Sequence, residues 1–274
     1  LTGLAAFVAL RVSAGDGVGA GLDRALRRWD GGSTLARGLD AFWILSAALF
    51  LMLPLAAVVA SGVSGLFLLK SNVWMAALTS VMVSALSTVV LLLLALPMAA
   101  SVALGRSAMI EVAGILGLAA SPLVIGTGLF IVIYPIADPF ALALPVTALV
   151  NAVMALPFAL RILVPRAREV MARYGKLSLS LDMAGGPFLW RVFLPRMRAQ
   201  IGFAAGLAAA LSMGDLGVIT LFADPEVATL PLQIYRLMGA YQMQAAAAAA
   251  LLLLGLSMGA FWILDRGGRW HAEA

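Results

Sequence analysis

Cysteine is absent, so neither a disulfide nor a thiolate metal site is open to this chain, and its redox compartment cannot be read. Histidine occurs once, at His271 in a polar tail, which removes paired imidazole ligands as well. Charge is scarce: Asp, Glu, Lys and Arg make up 11% of the 274 residues, about half of what a soluble domain carries. No GxxxxGK[ST] phosphate loop, HExxH pair or GxSxG elbow occurs. Gly15, Gly17, Gly19 and Gly21 miss the GxGxxG spacing and follow no strand, so they read as a flexible loop. Catalysis, a resident cofactor and a metal are therefore not expected of this chain. If it moves a solute uphill, the energy must come from a partner ATPase or an ion gradient.

What the chain has in abundance is apolar length: 63% hydrophobic residues and a mean hydropathy of +1.05. A soluble core cannot hide that much apolar surface, because the surface of a folded protein grows too steeply with its size. Six full-length runs follow one another: Ala41–Leu69, Asn72–Leu104, Ile110–Pro135, Ala141–Val164, Ile201–Phe222 and Ala245–Leu264. Each meets the roughly 20 residues that carry a helix across 30 Å of hydrocarbon. Pro54, Pro97, Pro122 and Pro157 fall inside runs, where neighbouring helices can satisfy the freed carbonyls. Barrel strands would alternate on a period of two, and these runs do not. The expectation is an all-α membrane protein, a polytopic helical bundle. Residues 1–40 read as the end of a preceding span plus a linker, and 41–274 as a transmembrane domain of about six spans. Leu1 stands inside an apolar run without a basic leader, so the chain reads as a piece whose upstream part is missing.

Assigning alternate connections to two sides separates the charges. Of the eighteen basic residues, all but Lys70 and Arg236 fall on the side that holds residues 11–40, Arg106, the 161–198 region and the tail. The positive-inside rule places that side in the cytoplasm. The same distribution argues against nucleic acid, which would need one groove-lining stripe. Trp43, Trp74, Trp262 and Trp270 lie near run ends and read as interface anchors.

The segment Pro165–Arg198 lies between two runs and is too long for a turn. It carries Arg166, Arg168, Arg173, Lys176, Arg191, Arg196 and Arg198 against Glu169 and Asp182. Gly185-Gly186-Pro187 divides it. Before the break, Val170, Tyr174, Leu177 and Leu181 align along one side of an amphipathic helix. Two readings of that helix stand: an interfacial helix lying on anionic lipid, or a short helix that inserts into a cleft of a cytoplasmic motor protein.

Polar residues inside the runs are few. Asp215, in LSMGDLGVITLF, is the acid deepest in an apolar run, with Asn151 another polar residue of that kind. Intramembrane charges are usually functional, so Asp215 and Asn151 are transport-pathway candidates; the alternative for Asp215 is a carboxylate bonded to a neighbouring helix or facing a watery cavity. Gly202-x-x-x-Gly206, Gly255-x-x-x-Gly259 and the Ala245–Ala250 run read as close helix packing.

These residues resemble the inner-membrane permeases of binding-protein-dependent ATP-binding-cassette importers. That family carries a cytoplasmic EAA segment, then three residues, a glycine, nine residues and Ile-x-Leu-Pro. Val192-Phe193-Leu194-Pro195 matches the end of that motif. Counting back puts Lys176-Leu177-Ser178 where EAA stands and Asp182 where the glycine stands. LSMGDLGVITLF at 211–222, TLPLQIYRLMGAYQMQ at 229–244 and an Ala/Leu-rich last span are similar in order and spacing to thiamine permeases, which are tandem chains of two homologous halves. The resemblance implies a type I importer permease (MetI-like) fold and the C-terminal half of a tandem permease. It implies a role in bringing in thiamine or its phosphates. It also implies an N-terminal permease half, a cytoplasmic ATPase dimer holding ATP and Mg, and a periplasmic solute-binding protein as partners. ATPase coupling then falls to Tyr174, Lys176, Leu177, Ser178, Leu181, Asp182, Met183, Ala184 and Gly185. The alternatives are an iron(III) or other small-solute importer permease, an ion-coupled secondary carrier, or an accessory membrane subunit with no path of its own.

Overall fold

The computed structural model describes residues 34–105, 114, 117, 121–183, 185–222 and 228–270. Every regular element among them is helical. α1 spans Thr34–Gly65 and runs into a single 3-10 turn, Leu66–Leu68. α2 is Ser71–Ala103 and α3 is Pro122–Ile133. α4 is Ala143–Ser180. A helical turn, Gly186–Phe188, and a π-helical turn, Leu189–Phe193, lead straight into α5, Leu194–Met213. α6 (Leu230–Gly239) and α7 (Met243–Arg269) complete the described chain. Four of these helices are long and apolar enough to cross a membrane. The protein is a multi-pass helical membrane protein.

The sequence-predicted runs and the helices differ in four places. Pro122 opens α3 rather than lying inside it, which suits a residue with no N–H to donate. The run Ala141–Val164 does not end at Pro165. α4 continues as one helix of 38 residues through Pro157 and Pro165, whose neighbours in the packed bundle hold the helix together. The run Ile201–Phe222 breaks at Met213, and residues 214–222 form consecutive turns. Finally, the linker 223–244 contains α6, too short to span, which lays Leu230, Leu232 and Leu237 into the bundle. The expected preceding span at 1–10, most of the linker 11–40, and Arg106 lie outside the described residues.

The bundle has two ends. At one, the C-termini of α2, α4 and α7 meet the start of α5; at the other, the N-termini of α2 and α7 meet α6. Small side chains form the seam between α2, α4 and α5: Ala95, Ala99, Ala152, Ala155, Ala159, Ala167, Ala204 and Ala208 are all buried. In lipid there is no hydrophobic drive between helices, so close approach of backbones through alanine supplies the packing energy. α5 and α7 also approach closely. A Cβ on Gly202 would stand 2.6 Å from the Leu264 carbonyl oxygen, and one on Gly206 would stand 2.9 Å from that of Phe261. The expected packing role of Gly202 and Gly206 is met. Ala246, Ala248 and Ala249 are likewise buried, with Ala247 and Leu251 against Gly62 of α1. Gly255 and Gly259 do not share that role, because nothing lies within 4 Å of a Cβ at either. They continue the helical face of Ala248 and Leu251, beyond the part of α7 that Gly62 and Gly65 of α1 touch.

α1 touches α7 through Gly62 and Gly65 near its end, while its earlier part exposes Ile44 (71%) and Phe50 (79%). A helix apolar all round and uncovered in this way suits a lipid or protein environment rather than water.

Candidate functional site: the coupling end and the loop at Asp215

α4 ends in a Schellman turn. The Met183 N–H donates to the Ser178 carbonyl at 2.8 Å, and the Asp182 N–H donates to that of Leu179 at 3.2 Å. That pair of bonds requires a left-handed residue just past the helix, normally glycine. Asp182 occupies the position with φ +53°. The residue aligned with the motif's glycine is thus the one whose backbone conformation glycine adopts without strain. Gly185 follows at φ +67° and turns the chain into the Gly186–Phe188 turn.

This turn separates the sequence-predicted coupling residues into two groups. Leu177 (55%) and Leu181 (61%) project from the bundle and are exposed, although Val170 on the same side of α4 is buried. Tyr174 does not project: it packs on the core, with the Arg196 guanidinium 4.8 Å from its ring centre. That contact ties α4 to the start of α5, as does Arg166 Nε, which donates to the Arg196 carbonyl at 3.3 Å. Ser178 is buried and its Oγ donates to the Gly175 carbonyl at 2.8 Å. Ala184 lies outside the described residues.

Beside the exposed leucines, α2, α4 and the π-helical turn enclose an apolar cleft of about 720 Å³. Lys176, Met183 and Gly185 line it, with Met171, Leu179 and Phe188, which sequence reasoning did not select. A signal was available. Met171, Gly175, Leu179 and Met183 recur every four residues, the spacing that marks one helix face. Arg168 and Lys176 are the basic residues in its lining, and elsewhere on α4 Glu169 pairs with Arg166 at 2.7 Å and Arg173 at 3.7 Å.

At the other end of α4 lies the second candidate group. Asn151 is buried, and its Nδ2 donates to Ser212 Oγ at 3.0 Å and to the Ser212 carbonyl at 3.4 Å. Ser84 Oγ of α2 donates to the Ala209 carbonyl at 2.9 Å, so three helices are pinned together where α5 stops. Asp215 follows one turn later. Its Oδ1 accepts the Gly217 N–H at 3.3 Å, while Oδ2 is hidden from solvent without a hydrogen-bond partner. The carboxylate therefore folds back on its own loop instead of bonding to a neighbouring helix. Val218, Ile219 and Phe222 anchor that loop against Val146 and Val150 of α4. Ser212, which brings Asn151 and the Asp215 loop together, was not legible beforehand, since serine is common in spanning helices.

One helix consequently serves both groups. At 1.5 Å per residue, 38 residues of α4 extend about 57 Å. The helix runs from the Asp215 loop at Val146, Val150 and Asn151 to the exposed leucines at its end.

No protein-family profile matches the chain. Curated relatives do. The chain is 34% identical over 255 residues to the thiamine transport system permease protein ThiP of Brucella abortus (strain 2308), covering 90% of this chain and 47% of the relative. Against the protein of that name from Salmonella typhimurium it is 32% identical over 248 residues, covering 87% and 46%. Against that of Escherichia coli (strain K12) it is 31% identical over 241 residues, covering 84% and 45%. The chain is a homologue of thiamine permeases. It spans about half the length of the relatives it matches, consistent with the C-terminal half expected from the order of its motifs.

Proposed function

We propose that this chain is half of the permease of an ATP-driven importer in the bacterial inner membrane, and that the solute is thiamine or its phosphates. A periplasmic binding protein delivers the solute to the α6 end, and a cytoplasmic ATPase dimer, holding ATP and Mg, docks on the Leu177 and Leu181 end. The observation that carries the transport reading is the 34% identity to a thiamine permease over 90% of the chain. Exposed leucines beside a cleft that Arg168 and Lys176 line support the docking step. Their burial by a partner would remove apolar surface at roughly 25 cal/mol per Å².

The coupling mechanism follows from α4. When the ATPase subunits close, they displace Leu177 and Leu181, and the helix carries that motion to Asn151 and the Asp215 loop. Packed helices shift against each other as rigid bodies rather than deforming. Along the alanine seam α4 shifts against α2 and α5 as the Asn151–Ser212 and Arg166–Arg196 bonds rearrange. The hidden Oδ2 of Asp215 gives the cationic thiazolium ring of thiamine a carboxylate to meet inside the membrane, where an opposite charge is worth most. Asp215 and Asn151 are thus the pathway residues of this half.

Uptake of labelled thiamine into vesicles bearing the complete transporter tests this. ATP-dependent uptake that excess unlabelled thiamine suppresses and iron(III) does not is expected. Uptake that survives ATP depletion but fails with an ionophore would point instead to an ion-coupled carrier.

A further inference from the structure

The flank of the bundle carries a groove, at the same end as the coupling segment, that the transport mechanism leaves unused. It encloses about 530 Å³ between α5, α7 and the π-helical turn, and reaches Leu92 of α2. Its floor is bare backbone. Gly202 and Gly268 meet there so closely that a Cβ on Gly202 would stand 2.8 Å from the Gly268 Cα. Gly267 lines the groove too, and nothing lies within 4 Å of a Cβ at that position.

Charge is confined to one end of the groove. Among the described residues that line it, Arg198 alone is charged. It is exposed in the second turn of α5 and has no side-chain partner among the described residues. The acids of the ion pairs at this end are already engaged, Glu169 by Arg166 and Arg173, and Asp265 by Arg269. From Arg198 the groove runs inward along α5 past Ile201 to Ala205, seven residues or about 10 Å. That is about two-thirds of the roughly 15 Å of hydrocarbon in one leaflet. Trp190, which precedes α5, stands 72% exposed in the lining, as an aromatic residue of a membrane interface does.

A cation at the mouth and an apolar channel behind it fit an amphiphile with an anionic head. A soluble anion would gain nothing from the channel, and an apolar protein helix would cover Arg198 without a counter-charge, at a large desolvation cost. We infer that the groove binds an anionic phospholipid of the leaflet at the coupling end, whatever solute the transporter carries. Arg198 holds the phosphate, which its planar fork of N–H donors suits. An acyl chain lies over Gly202, Gly267 and Gly268. Basic pockets between spanning helices favour acidic headgroups in this way.

The test places the intact transporter in nanodiscs of equal parts phosphatidylglycerol and phosphatidylcholine. A trace of one lipid or the other carries a photoactivatable diazirine on an acyl chain, and labelling of residues 201–205 and 264–268 is read by peptide mass spectrometry. In wild type the phosphatidylglycerol probe should label these peptides about tenfold more than the phosphatidylcholine probe, the scale of a charge-assisted hydrogen bond. Arg198→Gln should abolish that preference while both probes still enter, and Arg198→Lys should keep most of it. Gly267→Leu, whose side chain has open space to occupy, should lower labelling by both probes with an unchanged unfolding midpoint. Equal labelling of wild type by the two probes, or a preference that survives Arg198→Gln, would overturn the proposal. So would undiminished labelling of Gly267→Leu. Groove peptides that take no label in wild type would overturn it as well, by showing that protein covers this face.

Discussion

The two ends of the bundle are closed by the same device and surrounded differently. At both, a Schellman turn ends a helix and a non-glycine residue takes the left-handed position, Asp182 at φ +53° and Tyr241 at φ +58°. At the α4 end the turn lies by the exposed Leu177 and Leu181, beside an apolar cleft of about 720 Å³ that Arg168 and Lys176 also line. At the α6 end it presents Tyr241 beside a polar notch lined by Lys70 and Arg236. Closely similar backbone geometry thus borders two kinds of surface, one apolar and one polar. What distinguishes them is the side chains the turn carries outward, and those are set by sequence rather than by fold.

The largest effects are expected where helices meet without side chains between them. Gly268→Val would place a Cβ 2.6 Å from the Arg198 carbonyl oxygen, so α5 and α7 would have to separate. A loss of 3 kcal/mol or more, seen as failure to accumulate in the membrane, is the scale of severe overpacking. Gly255→Ala and Gly259→Ala, with open space around them, should change the unfolding midpoint negligibly in this chain. Damage at Gly255 or Gly259 equal to that at Gly268 would erase the distinction between packed and unpacked glycines on α7.

Next is the lever itself. Inserting two glycines after Arg168 should leave ATPase binding intact but lower solute-stimulated hydrolysis at least about tenfold, because a break in α4 separates its two ends. Unimpaired stimulation would show that coupling does not travel along this helix. At the far end of the lever, Asn151→Ala removes the donor to Ser212 Oγ and leaves that buried hydroxyl short of a partner. A loss of about 1–3 kcal/mol in detergent unfolding is expected.

The smallest effects sharpen the comparison of the two turns. Asp182→Gly and Tyr241→Gly should each gain about 0.5–1 kcal/mol, relief of left-handed strain offset by the greater freedom of glycine when unfolded. Equal gains would show that the turns are energetically the same device. A gain at one end alone would mean that the other is held by contacts of its side chain.

Much of this architecture was legible in the residues. Apolar runs of spanning length located α1, α2, α4 and α7, and the three- and four-residue spacing of Tyr174, Leu177 and Leu181 marked one side of the end of α4. The continuation of α4 through Pro165 was not legible, because a proline is a local stop signal that bundle packing overrides. The break at Met213 was hidden for the opposite reason: GDLGVITLF is apolar enough to read as more helix, and the turns show only in the folded chain, where Asp215 Oδ1 accepts the Gly217 N–H within its own loop. Ten residues of α6 fell below the length at which a run declares itself. Glycine spacing predicted close packing at Gly202 and Gly255 alike, since spacing identifies a helix face without saying what it meets.

The central claim is that Leu177 and Leu181 are the apolar contact of the coupling end. Leu177→Glu/Leu181→Glu in the intact transporter, with co-purification of the ATPase and ATP-dependent thiamine uptake measured side by side, tests it most directly. Both side chains are exposed in the isolated bundle, so the variant should fold normally, lose the ATPase on purification and lose uptake together. Undiminished co-purification with undiminished uptake would contradict the assignment.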